Sequence, residues 1–176
     1  MKFSATAIPG ARLIELERHE DGRGFFARTF CSEEFAAHGL RDRFVQCNLS
    51  SNERRGTLRG MHWQAKPHEE AKVVCCTRGA VHDVIVDLRR DSPAYRRWEA
   101  FELSAANRRM LYIPEGVAHG FQSLEDHTDL FYLMSESYHK EAERGVRWND
   151  PAFGIRWPLA DPILSARDAA YPDYRR

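Results

Sequence analysis

The stretch AKVVCCT (71–77), Arg78-Gly79, AVHDVIVDL (80–88) decides the fold class. Two apolar, β-branched runs of strand length flank a turn signal. In the first run Cys75 and Cys76 are adjacent, so on a strand their side chains point to opposite faces.

Working outward, the same grammar repeats. RLIELE (12–17), GFFARTF (24–30), FVQCNLS (44–50) and TLRGMHWQ (57–64) precede the central stretch. YRRWEAFELS (95–104), MLYI (110–113), AHGFQSL (118–124) and TDLFYLMSESY (128–138) follow it. Turn residues separate them: Asp21-Gly22, the polar run Ser51 to Gly56, Lys66-Pro67, Asp91-Ser92-Pro93 and Pro114-Glu115-Gly116. Regularly spaced short strands of this kind predict an all-β sandwich or barrel. One short helix is expected at Glu33 to His38, with Ser32 as N-cap and Gly39 just past its end. The tail from Trp148, with prolines at 151, 158 and 162, reads as irregular chain wrapping the barrel.

The 176 residues fit one domain, 1–176, since no repeat or linker divides them, and suffice for a core without staples. Lys+Arg and Asp+Glu both number 26, a balance that removes the field needed to hold nucleic acid or an anionic membrane. The opening segment has no apolar run after its single lysine, and no run approaches the roughly 18 residues of a membrane helix. Cys31, Cys47, Cys75 and Cys76 form no CxxC pair and are expected as buried, reduced thiols. A cytoplasmic location follows as the expectation.

Polar residues on strand faces give the first functional hint. Gln46, Asn48 and Ser50 share one face of FVQCNLS, and Leu130, Tyr132, Met134, Glu136 and Tyr138 share one of TDLFYLMSESY. Arg59 and His62 have odd separation and point apart unless Gly60 marks a bulge, which lets them converge. Polar groups inside a barrel imply a ligand cavity. Pro114 to His119 matches the PxGxxH half of a cupin metal signature. The other half reads His62-Trp63-Gln64 with Glu69 beyond, so one imidazole is missing and Lys72 would oppose a dication. A cupin fold without cupin metal is expected. GxSxG, GxGxxG and Walker A patterns are absent. Composition and spacing by themselves stop at a soluble β-barrel with a polar cavity.

GTLRGMHWQ, followed by the lysine of EEAKVV, resembles the dTDP-4-dehydrorhamnose 3,5-epimerase family. DGRGFFARTF, FVQCNLSSN, AVHDVIVDLR, YIPEGVAHGF, ERGVRWNDP, IRWP and SARD extend the match, in the family's order, over nearly the whole chain. The resemblance implies a double-stranded β-helix, or jelly roll, working as a homodimer without cofactor or metal. It implies inversion of C3 and C5 of dTDP-4-dehydro-6-deoxy-D-glucose, giving dTDP-4-dehydro-L-rhamnose for polysaccharide biosynthesis. By motif, His62 is the general base, Tyr132 the proton donor, Asp168 the orienting carboxylate and Lys72 the remaining catalytic group. Substrate contacts fall on Arg23, Phe26, Gln46, Asn48, Arg59, His119, Tyr138, Glu143 and Arg167, with Arg23 and Phe26 reaching the partner's site.

The chain departs from the family at three points. Arg28 stands where the usual motif has Glu, which opens the choice of nucleotide and predicts that Arg28 faces a phosphate or carbonyl oxygen or pairs with a protein acid. Arg167 replaces the lysine of SxKD, and Trp63 a common tyrosine. A 3- or 5-epimerase of a related dTDP-, GDP- or CDP-linked sugar is the alternative. A metal-dependent cupin oxygenase and a non-catalytic sugar-nucleotide-binding module are others; the set His62, Tyr132 and Asp168 speaks against the module, because binding alone needs no acid–base groups.

Overall fold

The chain, described here over residues 1–175 of a computed structural model, alternates strand and turn as its period-2 pattern dictates. In order it forms β1 (Lys2–Ala5), β2 (Arg12–Glu15), β3 (His19–Asp21), β4 (Gly24–Phe26), α1 (Ser32–Ala37), β5 (Gln46–Asn52) and β6 (Leu58–Gln64). There follow β7 (Lys72–Arg78), β8 (Ala80–Asp87), β9 (Trp98–Ser104), β10 (Met110–Ile113), β11 (Val117–Ser123), β12 (Thr128–Met134), β13 (Glu143–Gly145) and α2 (Ala166–Ala170). One sheet runs β1-β2-β10-β7-β12-β5, the other β13-β6-β11-β8-β9, and β3 and β4 form a separate two-stranded hairpin. This is the expected jelly roll.

Consecutive strands β7 and β8 lie in different sheets. The turn at Arg78-Gly79 therefore carries the chain from one layer to the other. Gly79 has φ +72°, and a Cβ there would lie 2.4 Å from Thr128 Oγ1, so both backbone and space demand glycine.

Alternation explains why the central runs are apolar on both faces. Val74, Cys76, Val81, Ile85 and Leu111 point between the sheets into the main core. Val73 joins Ile14, Tyr112 and Phe35 of α1 on the outer face of the six-stranded sheet, with Cys75 packed against them. Val84 and Val86 face outward on the other sheet, under Phe153, Trp157 and Tyr174 of the wrapping tail. Burying such a side chain stabilises by about 1.5–3 kcal/mol, so each layer is a reason for the fold.

Several expectations need correction. Ser32 is the first residue of α1, not its cap; Cys31 precedes it in an extended conformation without a side-chain cap bond. Phe35, buried against Phe3, Phe30 and Phe44, anchors that helix in place of the cap. A second helix, α2, interrupts the tail, and the short strands β1, β3 and β13 carry too little apolar pattern to be read. Ser51 and Asn52 extend β5 rather than starting a loop, while β4 stops at Phe26. β12 ends at Met134, so Glu136 and Tyr138 do not continue its face. Of the four thiols, which are free, Cys47 is exposed. Burial pushes the Cys76 thiol up to about 11, which keeps it protonated. Among the described residues no helix is long and apolar enough to cross a membrane.

Candidate active site

The two sheets part at one end around a cavity of about 780 Å³. Gln46 and Asn48 of β5, Lys72 of β7 and Tyr132 of β12 reach it from the six-stranded sheet. Arg59 and His62 of β6, His119 of β11 and Glu143 of β13 reach it from the other.

Arg59 and His62 converge because β6 is bulged. The register pairs His119 with His62 but Phe121 with Arg59, leaving Gly60 and Met61 of β6 opposite the single Gly120 of β11. Gly60 makes this possible: its φ is +128°, and a Cβ would lie 2.5 Å from the Gly120 Cα. Gly120 reciprocates, since its own Cβ would meet the Arg59 carbonyl at 2.9 Å. The two strands touch glycine to glycine.

His62 Nε2 lies 2.5 Å from Asp168 Oδ1. Asp168 reaches it from α2, where Ser165 caps the helix by accepting from the Asp168 N–H and donating to Oδ2. Burial works against its ionisation, but the hydrogen bond and charge of His62, with Ser165, win and hold the carboxyl below its usual range. Among the described residues His62 Nδ1 makes no protein hydrogen bond, and Tyr171 stands edge-on to the ring at 5.6 Å. From the opposite sheet, Tyr132 presents a phenol whose pKa is raised by burial, so it stays protonated.

Lys72 Nζ pairs with Glu70 at 2.8 Å, and the other Glu70 oxygen accepts from the Gln64 N–H. His119 Nε2 contacts both oxygens of the fully buried Asp83, at 2.9 and 3.0 Å. Arg59 donates to Asn52 Oδ1 and to the Ser51 carbonyl. At the mouth, the Tyr138 hydroxyl donates to Glu143, which raises its pKa, and Arg167 pairs with Glu143 at 2.7 Å. Gln46 accepts from the Tyr138 N–H.

Eleven of the thirteen residues expected at the site thus line one cavity: His62, Tyr132, Asp168, Lys72, Gln46, Asn48, Arg59, His119, Tyr138, Glu143 and Arg167. Arg23 and Phe26 do not. They sit on the β3–β4 hairpin, Arg23 is 91% exposed and paired with Asp21, and neither borders this chain's cavity. Arg28 pairs with a protein acid, Glu34, at 2.9 Å, also away from the cavity.

Glu70 and Asp83 were missed. Asp83 carries a readable signal, a carboxylate in the middle of an apolar period-2 run, which burial makes costly unless something pairs with it. Glu70, rather than Glu69, turns inward.

The donor set does not suit a cupin metal. The imidazoles of His62 and His119 are held by carboxylates, Glu70 is paired with Lys72, and the Gln64 amide is spent on the His68 and Ser137 carbonyls and the His139 N–H.

A jelly roll that presents carboxylate-held imidazoles, a neutral buried phenol and a buried ammonium around one cavity defines a cupin-like protein equipped for acid–base chemistry. A family model for dTDP-4-dehydrorhamnose 3,5-epimerase matches residues 5–176, and the chain belongs to that family. It is 41% identical to the dTDP-4-dehydrorhamnose 3,5-epimerase of Shigella flexneri over 96% of this chain and 93% of the relative. It is 42% identical to a dTDP-4-dehydrorhamnose 3-epimerase of Streptomyces niveus, over 96% and 81%. The crystal structure of the Elizabethkingia anophelis 3,5-epimerase superposes with a TM-score of 0.96, at 38% identity, over 99% of this chain and 96% of that one. A Legionella pneumophila 3,5-epimerase in complex with dTDP-4-keto-L-rhamnose matches with a TM-score of 0.92 at 37% identity, over 98% and 92%.

Proposed function

We propose that this chain inverts C3 and C5 of dTDP-4-dehydro-6-deoxy-D-glucose to give dTDP-4-dehydro-L-rhamnose, through an enolate. What carries the reading is a carboxylate-held imidazole and a neutral phenol that enter one cavity from opposite sheets. A proton beside a ketone is weakly acidic, and its loss leaves an enolate with charge on O4. His62 takes that proton at Nδ1, while Asp168 on Nε2 fixes the ring and stabilises the imidazolium. Lys72 donates to O4, the charge-stabilising contact that is usually the largest catalytic contribution. Tyr132 returns a proton from the opposite side, which produces inversion rather than simple exchange. No hydride moves, so no nicotinamide is needed, and no metal has a role.

Arg59 and Arg167 supply charge for the diphosphate, and Gln46, Asn48, His119, Tyr138 and Glu143 hold the sugar and nucleotide. Arg23 and Phe26 act in the partner's cavity of a homodimer. The enzyme works in the cytoplasm as a single domain over 1–176.

The Streptomyces niveus relative favours one second reading, inversion at C3 alone. Incubation with dTDP-4-dehydro-6-deoxy-D-glucose in deuterated water separates the two by NMR. Deuterium at both C3 and C5 of an inverted product is expected. Deuterium at C3 only would replace the proposal with the second reading, and none at either carbon would refute both.

A further inference from the structure

Outside the cavity, the loop after β6 and the loop after β12 bring His68, Glu136 and His139 together. One ligand atom from each lies within 4.8 Å of the other two, and all three residues are half-buried. We propose that this trio binds a divalent transition cation of the zinc type, at a site separate from His62 and independent of the epimerase reading.

The spacing is the first support. His139 Nε2 stands 3.7 Å from Glu136 Oε1, too far for a hydrogen bond. Two ligands of one tetrahedral zinc, each about 2.0–2.2 Å from the ion, lie about 3.3–3.6 Å apart. The gap is therefore close to one that an ion spans. Two imidazoles with one carboxylate form a donor set suited to zinc and poorly suited to magnesium or calcium.

The second support is the orientation of His139. Its Nδ1 faces Glu141 Oε1 at 3.3 Å. A ligating histidine commonly gives its other N–H to a carboxylate, which fixes the tautomer and turns the free lone pair to the metal. Here that leaves Nε2 on the Glu136 side.

The third is pre-organisation of the backbone. Gln64, 3% exposed, accepts from the His139 N–H at 2.6 Å and donates to the carbonyls of His68 at 3.0 Å and Ser137 at 3.1 Å. One buried amide thus pins both histidine-bearing segments. The rings already stack with centroids 3.6 Å apart and 15° between planes. Binding requires the His68 ring to tilt out of the stack until a nitrogen lone pair meets the ion in its own plane. A bound cation would tie the loop after β6 to the one that carries Tyr138 at the cavity mouth.

Isothermal titration calorimetry of the full chain with ZnCl2, and separately with MgCl2, tests this. The native protein should take one Zn²⁺ per chain and no Mg²⁺. His68→Ala, His139→Ala and the near-isosteric Glu136→Gln should each weaken zinc binding by roughly tenfold or more, since losing a ligand costs at least what losing its outer partner does. His127→Ala, at an exposed histidine that pairs with Glu53, should bind as the native chain does. Zinc should also raise the Tm of the native chain and leave that of the His139→Ala chain unmoved. Absence of stoichiometric uptake by the native protein would overturn the proposal. So would native-like binding by His68→Ala and His139→Ala, which would move the ion to another group such as the exposed Cys47 thiol.

Discussion

At His62 the two ring nitrogens have different surroundings, and that difference assigns their work. Nε2 is committed to Asp168, so in the proposed reaction Nδ1 is the nitrogen left to take the proton from substrate. His62→Asn should stop solvent exchange at C3 and C5 and lower turnover by about 10²–10⁴-fold, the usual contribution of a positioned base. Tyr132→Phe should fail differently, retaining exchange while inversion is lost, because deprotonation needs only base and enolate stabilisation. Deuterium incorporation read against product configuration checks both; near-normal exchange in His62→Asn would mean the base is misassigned. The residues of this dyad are 106 positions apart, so no local pattern joins them, and Asp168 was legible only through its SARD motif. The partner of His119 was hidden in the same way. Asp83 was visible as an anomaly in an apolar run, but nothing in the sequence said which imidazole would meet it.

At the scale of the element, one glycine sets the aim of a whole strand. The bulge at Gly60 turns Arg59 and His62 to the same side, and the glycine–glycine approach to β11 leaves no room for a methyl group. Gly60→Ala combines a positive φ with overpacking against backbone, and should cost about 3 kcal/mol. For a chain of this size that is a fall of ~9 °C in Tm, measurable by differential scanning calorimetry. Activity should fall further than stability explains, because Arg59 and His62 would lose their common aim. A glycine inside TLRGMHWQ was readable as a possible bulge, and the odd spacing of Arg59 and His62 made it necessary for convergence. By contrast, the strand reading of TDLFYLMSESY ran four residues too far. Its alternation continues past Met134, but the backbone leaves the sheet there and takes Glu136 out of the cavity to a second pocket, lined also by Arg41 and Glu115.

At the scale of the molecule, exposed apolar side chains mark one sheet edge and one hairpin among the described residues. β5 closes the six-stranded sheet with no neighbour beyond it among the described residues, and Leu49 on its outward face is 64% exposed. Phe26 on the β3–β4 hairpin is 73% exposed. An open edge beside exposed apolar side chains is what a second copy would cover. Sedimentation at assay concentration should therefore give a dimer, and Phe26→Asp should weaken it and raise KM by depriving the partner's cavity of a wall. A fully active monomer would remove Arg23 and Phe26 from the site and leave the eleven cavity residues as the complete set.

The amino-acid sequence by itself determined that this chain is built of short strands in a sandwich or barrel, because period-2 alternation is a local property that burial on one face imposes. Through its motifs it also determined the family, and with it most of the residues that line the cavity. Only the tertiary structure decided which strands pair. Arg78-Gly79 looks like a turn between neighbours, yet β7 and β8 belong to opposite sheets, since strand pairing depends on packing energies summed over the whole core. The same holds for the carboxylates. Whether Glu69 or Glu70 turns inward, and whether Asp83 or another acid holds His119, follows from side-chain direction and contact across strands distant in sequence, which alternation constrains but does not choose.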